Sequence, residues 1–207
     1  MAGFLGNFRN VIIAGLTLAG LFILAFALQA PGFDPRIFAI AVLRWAHVLC
    51  AILWVGLLYY FNFVQMRVMP DIPAEMKPAV SKHIAPEALF WFRYSALLTV
   101  VFGLFLAWHR GSVYFSETLT LGAIGGFSPA DIGYTLMGTG MWLGIIMMVN
   151  VWAFIWPAQR IALGIRDGFT PELKAAAAKK AMMFSRLNLM LSLPMLVAMT
   201  MYQTVFG

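Results

Sequence analysis

The chain has 207 residues, of which 62% are hydrophobic and 11% charged, and its mean hydropathy is +0.86. A water-soluble globule cannot cover that much apolar side chain with so little polar surface, so the apolar residues belong in a lipid bilayer. The formal charge of +6 sits mainly between apolar runs, where Lys and Arg orient a membrane protein, and gives no reason to expect nucleic acid as a partner.

Five apolar runs of about twenty residues or more predict five transmembrane helices. The first covers 8–28, with Gly15 and Gly20 allowing close approach of another helix; it lacks a clear cleavage site, so we expect a retained span rather than a signal peptide. Pro31, Gly32, Asp34 and Pro35 then make a short turn. The second span, 37–68, carries Arg44, Trp45, His47, Trp54, Gly56, Tyr59, Tyr60, Asn62 and Gln65. Residues 69–86 hold four prolines among charged residues and predict a polar loop, in which His83 is expected to be solvated. Glu87 opens the third span, 87–109, after Pro86, and suits the positive end of a helix dipole. Residues 111–130 are glycine-rich and polar, closing on Ser128-Pro129-Ala130-Asp131, which reads as a cap and first turn. The fourth span, 131–156, bears Gly138, Gly140 and Gly144 and stops at Pro157. Thr170-Pro171-Glu172-Leu173 starts an alanine-rich helix at the interface, and the fifth span, 181–206, contains Pro194, expected to kink it. Cys50, the single cysteine, reads as a small buried hydrophobe.

With five spans, the N-terminus and the second and fourth loops share one side. Arg9, Arg67, Lys77, Lys82, Arg160, Arg166, Lys174, Lys179, Lys180 and Arg186 fall there, against Arg36 and Arg110 opposite. The expectation is one all-α integral membrane domain over residues 1–207, a five-helix bundle with its N-terminus cytoplasmic and its C-terminus periplasmic, in a bacterial inner membrane.

Ionisable groups inside a membrane mark functional sites. A neutral imidazole on a transmembrane helix suits b-type haem and also copper, which makes His47 the metal-ligand candidate, against a histidine merely bonded to a neighbouring helix. Arg44, one turn earlier on the same face, suits a haem propionate or an anionic substrate, or else snorkels to the headgroups. His109 is a further candidate for ligand or propionate contact. It sits at the end of its span, whereas His47 lies roughly 15 Å in by helix rise, so Met141, at matching depth, is the alternative second ligand. Asn62, Asn150 and Asn188, with Arg93, form a polar set toward the cytoplasmic ends, read either as interhelical hydrogen bonding or as an anion or substrate site. No catalytic triad, phosphate loop, zinc signature or CxxCH haem attachment is present.

Three blocks carry a resemblance. Arg44-Trp45-Ala46-His47-Val48 precedes Trp54-Val55-Gly56 and Tyr60-Phe61-Asn62-Phe63, and Pro86-Glu87-Ala88-Leu89-Phe90-Trp91-Phe92-Arg93 follows. Gly140-Met141-Trp142-Leu143-Gly144 leads to Asn150-Val151-Trp152 and Ile155-Trp156-Pro157-Ala158-Gln159, joined by Ser185-Arg186-Leu187-Asn188 and Leu191-Ser192-Leu193-Pro194. Over about 37–200 this resembles the N-terminal membrane domain of the bacterial membrane-bound urate oxidase (urate hydroxylase) family. The resemblance implies a membrane oxidoreductase or a subunit of one, with His47, Arg44, Arg93, Asn150 and Asn188 as the residues to watch. That family's membrane domain is typically joined to a cytochrome c domain; without CxxCH, the resemblance implies electron transfer to a separate cytochrome c or quinone-linked complex. The arginine-tryptophan-histidine block also looks like copper-resistance membrane proteins and the haem-binding protoporphyrinogen oxidase type. The remaining expectations are a copper-handling protein and a non-catalytic accessory subunit of a respiratory or photosynthetic complex.

Overall fold

A computed structural model describes residues 2–29 and 32–206. Pro31, part of the expected first turn, lies outside the described residues. Every regular element among the described residues is helical, and five helices are long and apolar enough to cross a membrane. The protein is therefore an all-α, multi-pass membrane protein whose apolar faces meet the lipid bilayer.

The chain divides into two compact units, Met1–Val42 and Leu43–Gly207. In the first, a turn of helix at Ala2–Leu5 precedes α1, Phe8–Gln29. Asn7 caps α1, its side-chain oxygen accepting from the backbone N–H of Arg9 at 3.0 Å, which satisfies a donor that the helix start leaves orphaned. The next helix, α2, runs over Pro35–Asp71 and begins in this unit. Asp34 caps it, accepting from the Arg36 N–H at 2.8 Å, and Pro35 at its first position has no N–H to leave unpaired.

The second unit contains the rest of α2 with α3 (Lys77–Arg110), α4 (Ser112–Leu119), α5 (Pro129–Ala162) and α6 (Pro171–Val205). Thr170 caps α6 as its sequence suggests, accepting from the Leu173 N–H at 3.4 Å. The alanine-rich stretch is continuous with the fifth span, and α6 runs through Pro194 as one helix. Neighbouring spans run antiparallel: Asn62 meets Ser185 while Tyr59 meets Ser192, and Phe61 packs edge-on against Phe92. One end of the bundle thus carries Arg67, Lys77, Arg160 and Lys174 and is called the basic end here.

Two packed cores follow. Leu58, Phe92, Met147 and Val151 belong to the one nearer the basic end; Ala107, Met137, Met141 and Tyr202 form the other. Lipid offers no hydrophobic drive to bring helices together, so van der Waals fit and interhelical hydrogen bonds hold these layers.

Helix extents depart from the sequence reading: residues 77–86, expected as loop, open α3, and α5 continues past Pro157 to Ala162. The glycine-rich stretch expected as loop includes α4, fixed from outside its own sequence. The Trp142 indole N–H donates to the Leu119 carbonyl at 2.9 Å, and Gly138 packs so closely that a Cβ there would overlap the Thr118 carbonyl oxygen. The helical ladder also widens to π geometry at Tyr60–Gln65, Val80–Ile84 and Val151–Ile155. In the last two, a proline (Pro86, Pro157) follows the segment by two residues, and its missing N–H and ring displace the preceding turn. In the first, the Asn62 side-chain amide donates to the Leu58 carbonyl at 2.8 Å, inserting a side chain into the ladder.

Candidate functional site: an intramembrane cavity around His47

Within Leu43–Gly207 a cavity of about 640 Å³ separates α2 from α3, α5 and α6, a size ordinary for a ligand or cofactor site. The close backbone approach of α2 to α6 falls at Tyr60–Gln65, so the part of α2 before it stands off and the cavity occupies the space. Its lining along α2 extends from Arg44 to Tyr59, roughly 22 Å of helix rise. Most of the wall is apolar.

His47 is held by a tie to α3. Its Nδ1 lies 2.7 Å from the Thr99 carbonyl oxygen; a carbonyl only accepts, so Nδ1 carries the proton and Nε2 keeps its lone pair. Metal-bound histidines typically use this arrangement, the second nitrogen donating to a backbone carbonyl to set the tautomer and ring plane. Gly103, one turn after Thr99, makes the approach possible, because a Cβ there would stand 2.9 Å from Cε1 and 3.0 Å from Nδ1 of His47. Neither Thr99 nor Gly103 is singled out by the sequence reading. A backbone acceptor leaves no trace in sequence, and the only available signal was a lone glycine inside a span.

The two remaining glycines on the wall, Gly56 and Gly144, have nothing within 4 Å of where a Cβ would be. They widen the cavity rather than admit a neighbouring helix. Met141 lines the same wall and is buried, as are Met137 and Met195; Met199, half-buried, lines it too. At the mouth, Arg44 and Arg110 line the cavity with Tyr114, and the Arg110 guanidinium lies 4.4 Å from the Tyr114 ring centroid. Burial pushes the Tyr114 phenol above its usual range, aided by Tyr202 and opposed by Arg110 and Arg44. The neutral phenol offers the two guanidiniums no counter-charge, as any tyrosine near neutral pH would not.

No family model, curated protein or solved structure matches this chain.

The structure thus brings Arg44, His47 and Met141 to one cavity. His109 is not on its wall; its Nδ1 pairs with the Phe105 carbonyl of its own helix at 2.9 Å. The polar set lies toward the basic end instead. The Asn150 amide donates to the Asn188 side-chain oxygen at 2.6 Å, the Asn188 amide to the Met147 carbonyl at 3.0 Å, and the Asn62 amide to the Ser185 hydroxyl at 3.0 Å. Arg93 is only 8% exposed, and its guanidinium carbon stacks 3.3 Å from the Trp156 ring centroid, a cation–π arrangement that favours a charge in an apolar setting. Its Nε and Nη1 have no hydrogen-bond partner. Among the described residues no three His, Cys, Asp or Glu side chains converge as a metal-ion site.

Proposed function

We propose that the chain is a b-type haem protein of membrane electron transfer, with the cavity between α2, α3, α5 and α6 as the haem site. The observation that carries this reading is the His47 imidazole, set in an apolar intramembrane cavity with Nδ1 committed to Thr99 and Nε2 left as the ligand nitrogen. When bound, haem supplies a one-electron iron couple. His47 would ligate the iron, with Thr99 fixing its tautomer, Gly56 and Gly144 giving room to a flat group, and Arg44 and Arg110 meeting carboxylates at the mouth. Met141 is the candidate second ligand; His109 is not on the wall. A bare copper ion is less well served, since His47 would be joined only by thioethers, whereas a porphyrin brings four nitrogens of its own.

The resemblance to the membrane domain of the urate oxidase family supports an oxidoreductase or a subunit of one, passing electrons to a separate cytochrome c or quinone-linked complex. The excess of Lys and Arg at the basic end supports a cytoplasmic N-terminus in a bacterial inner membrane.

The test is a reduced-minus-oxidised absorption spectrum of the detergent-purified chain and of His47→Ala, with metal analysis of both. A b-type spectrum lost in His47→Ala is the expected result. Copper without a Soret band would replace haem by copper handling. Neither metal nor Soret band would refute the reading in favour of an accessory subunit, which would co-purify with its complex in fixed stoichiometry.

A further inference from the structure

We propose that the buried polar ladder on α6 is a water-bearing proton route from the basic end of the bundle to the floor of the cavity, ending at the Tyr59 hydroxyl. The use of this route rests on the electron-transfer reading above. Its existence does not.

Ser185, Asn188 and Ser192 recur at helical spacing on one face of α6, and each is buried. The face is tied to its neighbours in sequence: Ser185 to Asn62, Asn188 to Asn150, and Ser192 to Tyr59, whose hydroxyl lies 3.3 Å from the serine oxygen. On α2, Tyr59 is the lining residue nearest the basic end, so the ladder meets the cavity there.

Interhelical hydrogen bonding alone is the plain explanation for such residues. It would leave the amides closed on both sides, and they are not closed. Asn62 Oδ1, Asn150 Oδ1 and Gln65 Oε1 are buried and have no hydrogen-bond partner in the protein. Buried acceptors in an apolar setting keep a partner, and water is the donor that fits where no side chain reaches. All three lie in or next to π-segments, Asn62 and Gln65 within Tyr60–Gln65 and Asn150 just before Val151–Ile155. Interrupted helical ladders of this kind gather at functional sites.

A charge entering a low-dielectric cavity is costly unless compensated, and a proton arriving with the electron compensates it. Each transfer exchanges O–H bonds only. A proton enters from solvent at the basic end, a water–hydroxyl chain passes it on, and Tyr59 accepts one on its oxygen while giving its own to the oxygen of a water at the cavity floor.

Two measurements decide this. Internal water is read in the full chain without haem, from infrared O–H stretching bands that shift in 18O-labelled water. We expect such bands in wild type and their weakening in Gln65→Leu; their absence from wild type would overturn the route whether or not haem binds. In the haem-loaded chain, a ruthenium photoreductant delivers the electron while a pH dye follows proton uptake in weak buffer. Tyr59→Phe and Ser192→Ala should slow proton uptake tenfold or more, and Ser192→Ala, outside the cavity lining, should leave the Soret band and electron arrival unchanged. Wild-type uptake rates in both variants would overturn the proposal, whereas a missing Soret band would refute the haem reading and leave the infrared result to judge the ladder.

Discussion

Gly103→Ala separates a cofactor role for His47 from a purely structural one. The added methyl would stand 2.9 Å from Cε1 and 3.0 Å from Nδ1 of the imidazole, where ordinary contact begins near 3.4 Å. The ring is the movable partner, since the α3 backbone is locked in its helix, so it must withdraw by about 0.5 Å to escape repulsion. That takes the 2.7 Å bond from Nδ1 to the Thr99 carbonyl to the long edge of useful geometry, about 3.2 Å. For the apoprotein the terms nearly cancel. Weakening one hydrogen bond costs about 0.5–1.5 kcal/mol, and replacing glycine by alanine inside a helix returns about 1 kcal/mol. For a bound haem they do not cancel, because loss of the group that orients a metal-bound histidine costs about 10–100-fold in affinity, or about 1.4–2.8 kcal/mol. The assay is haem titration of the apoprotein followed at the Soret band, beside thermal melting of the apoprotein. Wild-type haem affinity in Gly103→Ala would refute the reasoning. So would a collapse of the apoprotein, which would show that the backbone and not the ring is what moves.

Other substitutions probe the remaining walls. Gly144→Ala meets no protein atom within 4 Å, so the apoprotein should gain about 0.4–1 kcal/mol in a melting experiment, while the methyl intrudes on the cavity and haem titration shows weaker binding. Arg44→Gln and Arg110→Gln should each weaken haem binding about ten- to a hundredfold, since a charge-assisted hydrogen bond is worth about 1.5–3 kcal/mol; titrations at low and high salt should show the loss shrinking as the mouth is screened. Gly138→Ala drives a Cβ into the Thr118 carbonyl, backbone against backbone, and should cost about 1–3 kcal/mol or more, read as a lowered melting temperature with α4 becoming accessible to protease.

The spans are legible in the sequence because lipid imposes a length and an apolar composition on any crossing helix. Their extents are less so. Residues 171–180 are polar enough to read as an interfacial piece, yet alanine and lysine are good helix formers and nothing stops α6 from beginning at Pro171. Residues 111–130 look like coil because glycine and polar residues dominate, but α4 is held by tertiary contacts from Trp142 and Gly138, which local propensity cannot report. The π-segments had a partial signal in Pro86 and Pro157; at Tyr60–Gln65 the cause is a side chain bonding its own helix, which asparagine does in many settings without widening it. At the site, the cost of polarity in lipid pointed to His47 and Arg44. The partners that give His47 its geometry, the Thr99 backbone carbonyl and the absent side chain of Gly103, leave no side-chain signal in the sequence.

The volume of the cavity constrains what these residues are for. With about 640 Å³ between α2 and its neighbours, the space holds an occupant of molecular size, a lipid chain or a cofactor, rather than standing empty. An occupant that fits these walls adds van der Waals contacts that the chain alone lacks. An acyl chain would be satisfied by apolar walls alone and would give no reason to keep an imidazole at mid-depth with one nitrogen bound to a carbonyl and the other free to ligate. Nor would it explain two arginines lining the same cavity. A rigid, flat, largely apolar group with a ligand-seeking centre and anionic edges meets all three conditions at once. The apoprotein should accordingly melt well below the haem-bound chain in the same detergent, and a lipid-saturated apoprotein matching the haem-bound melting temperature would remove the energetic argument for a prosthetic group.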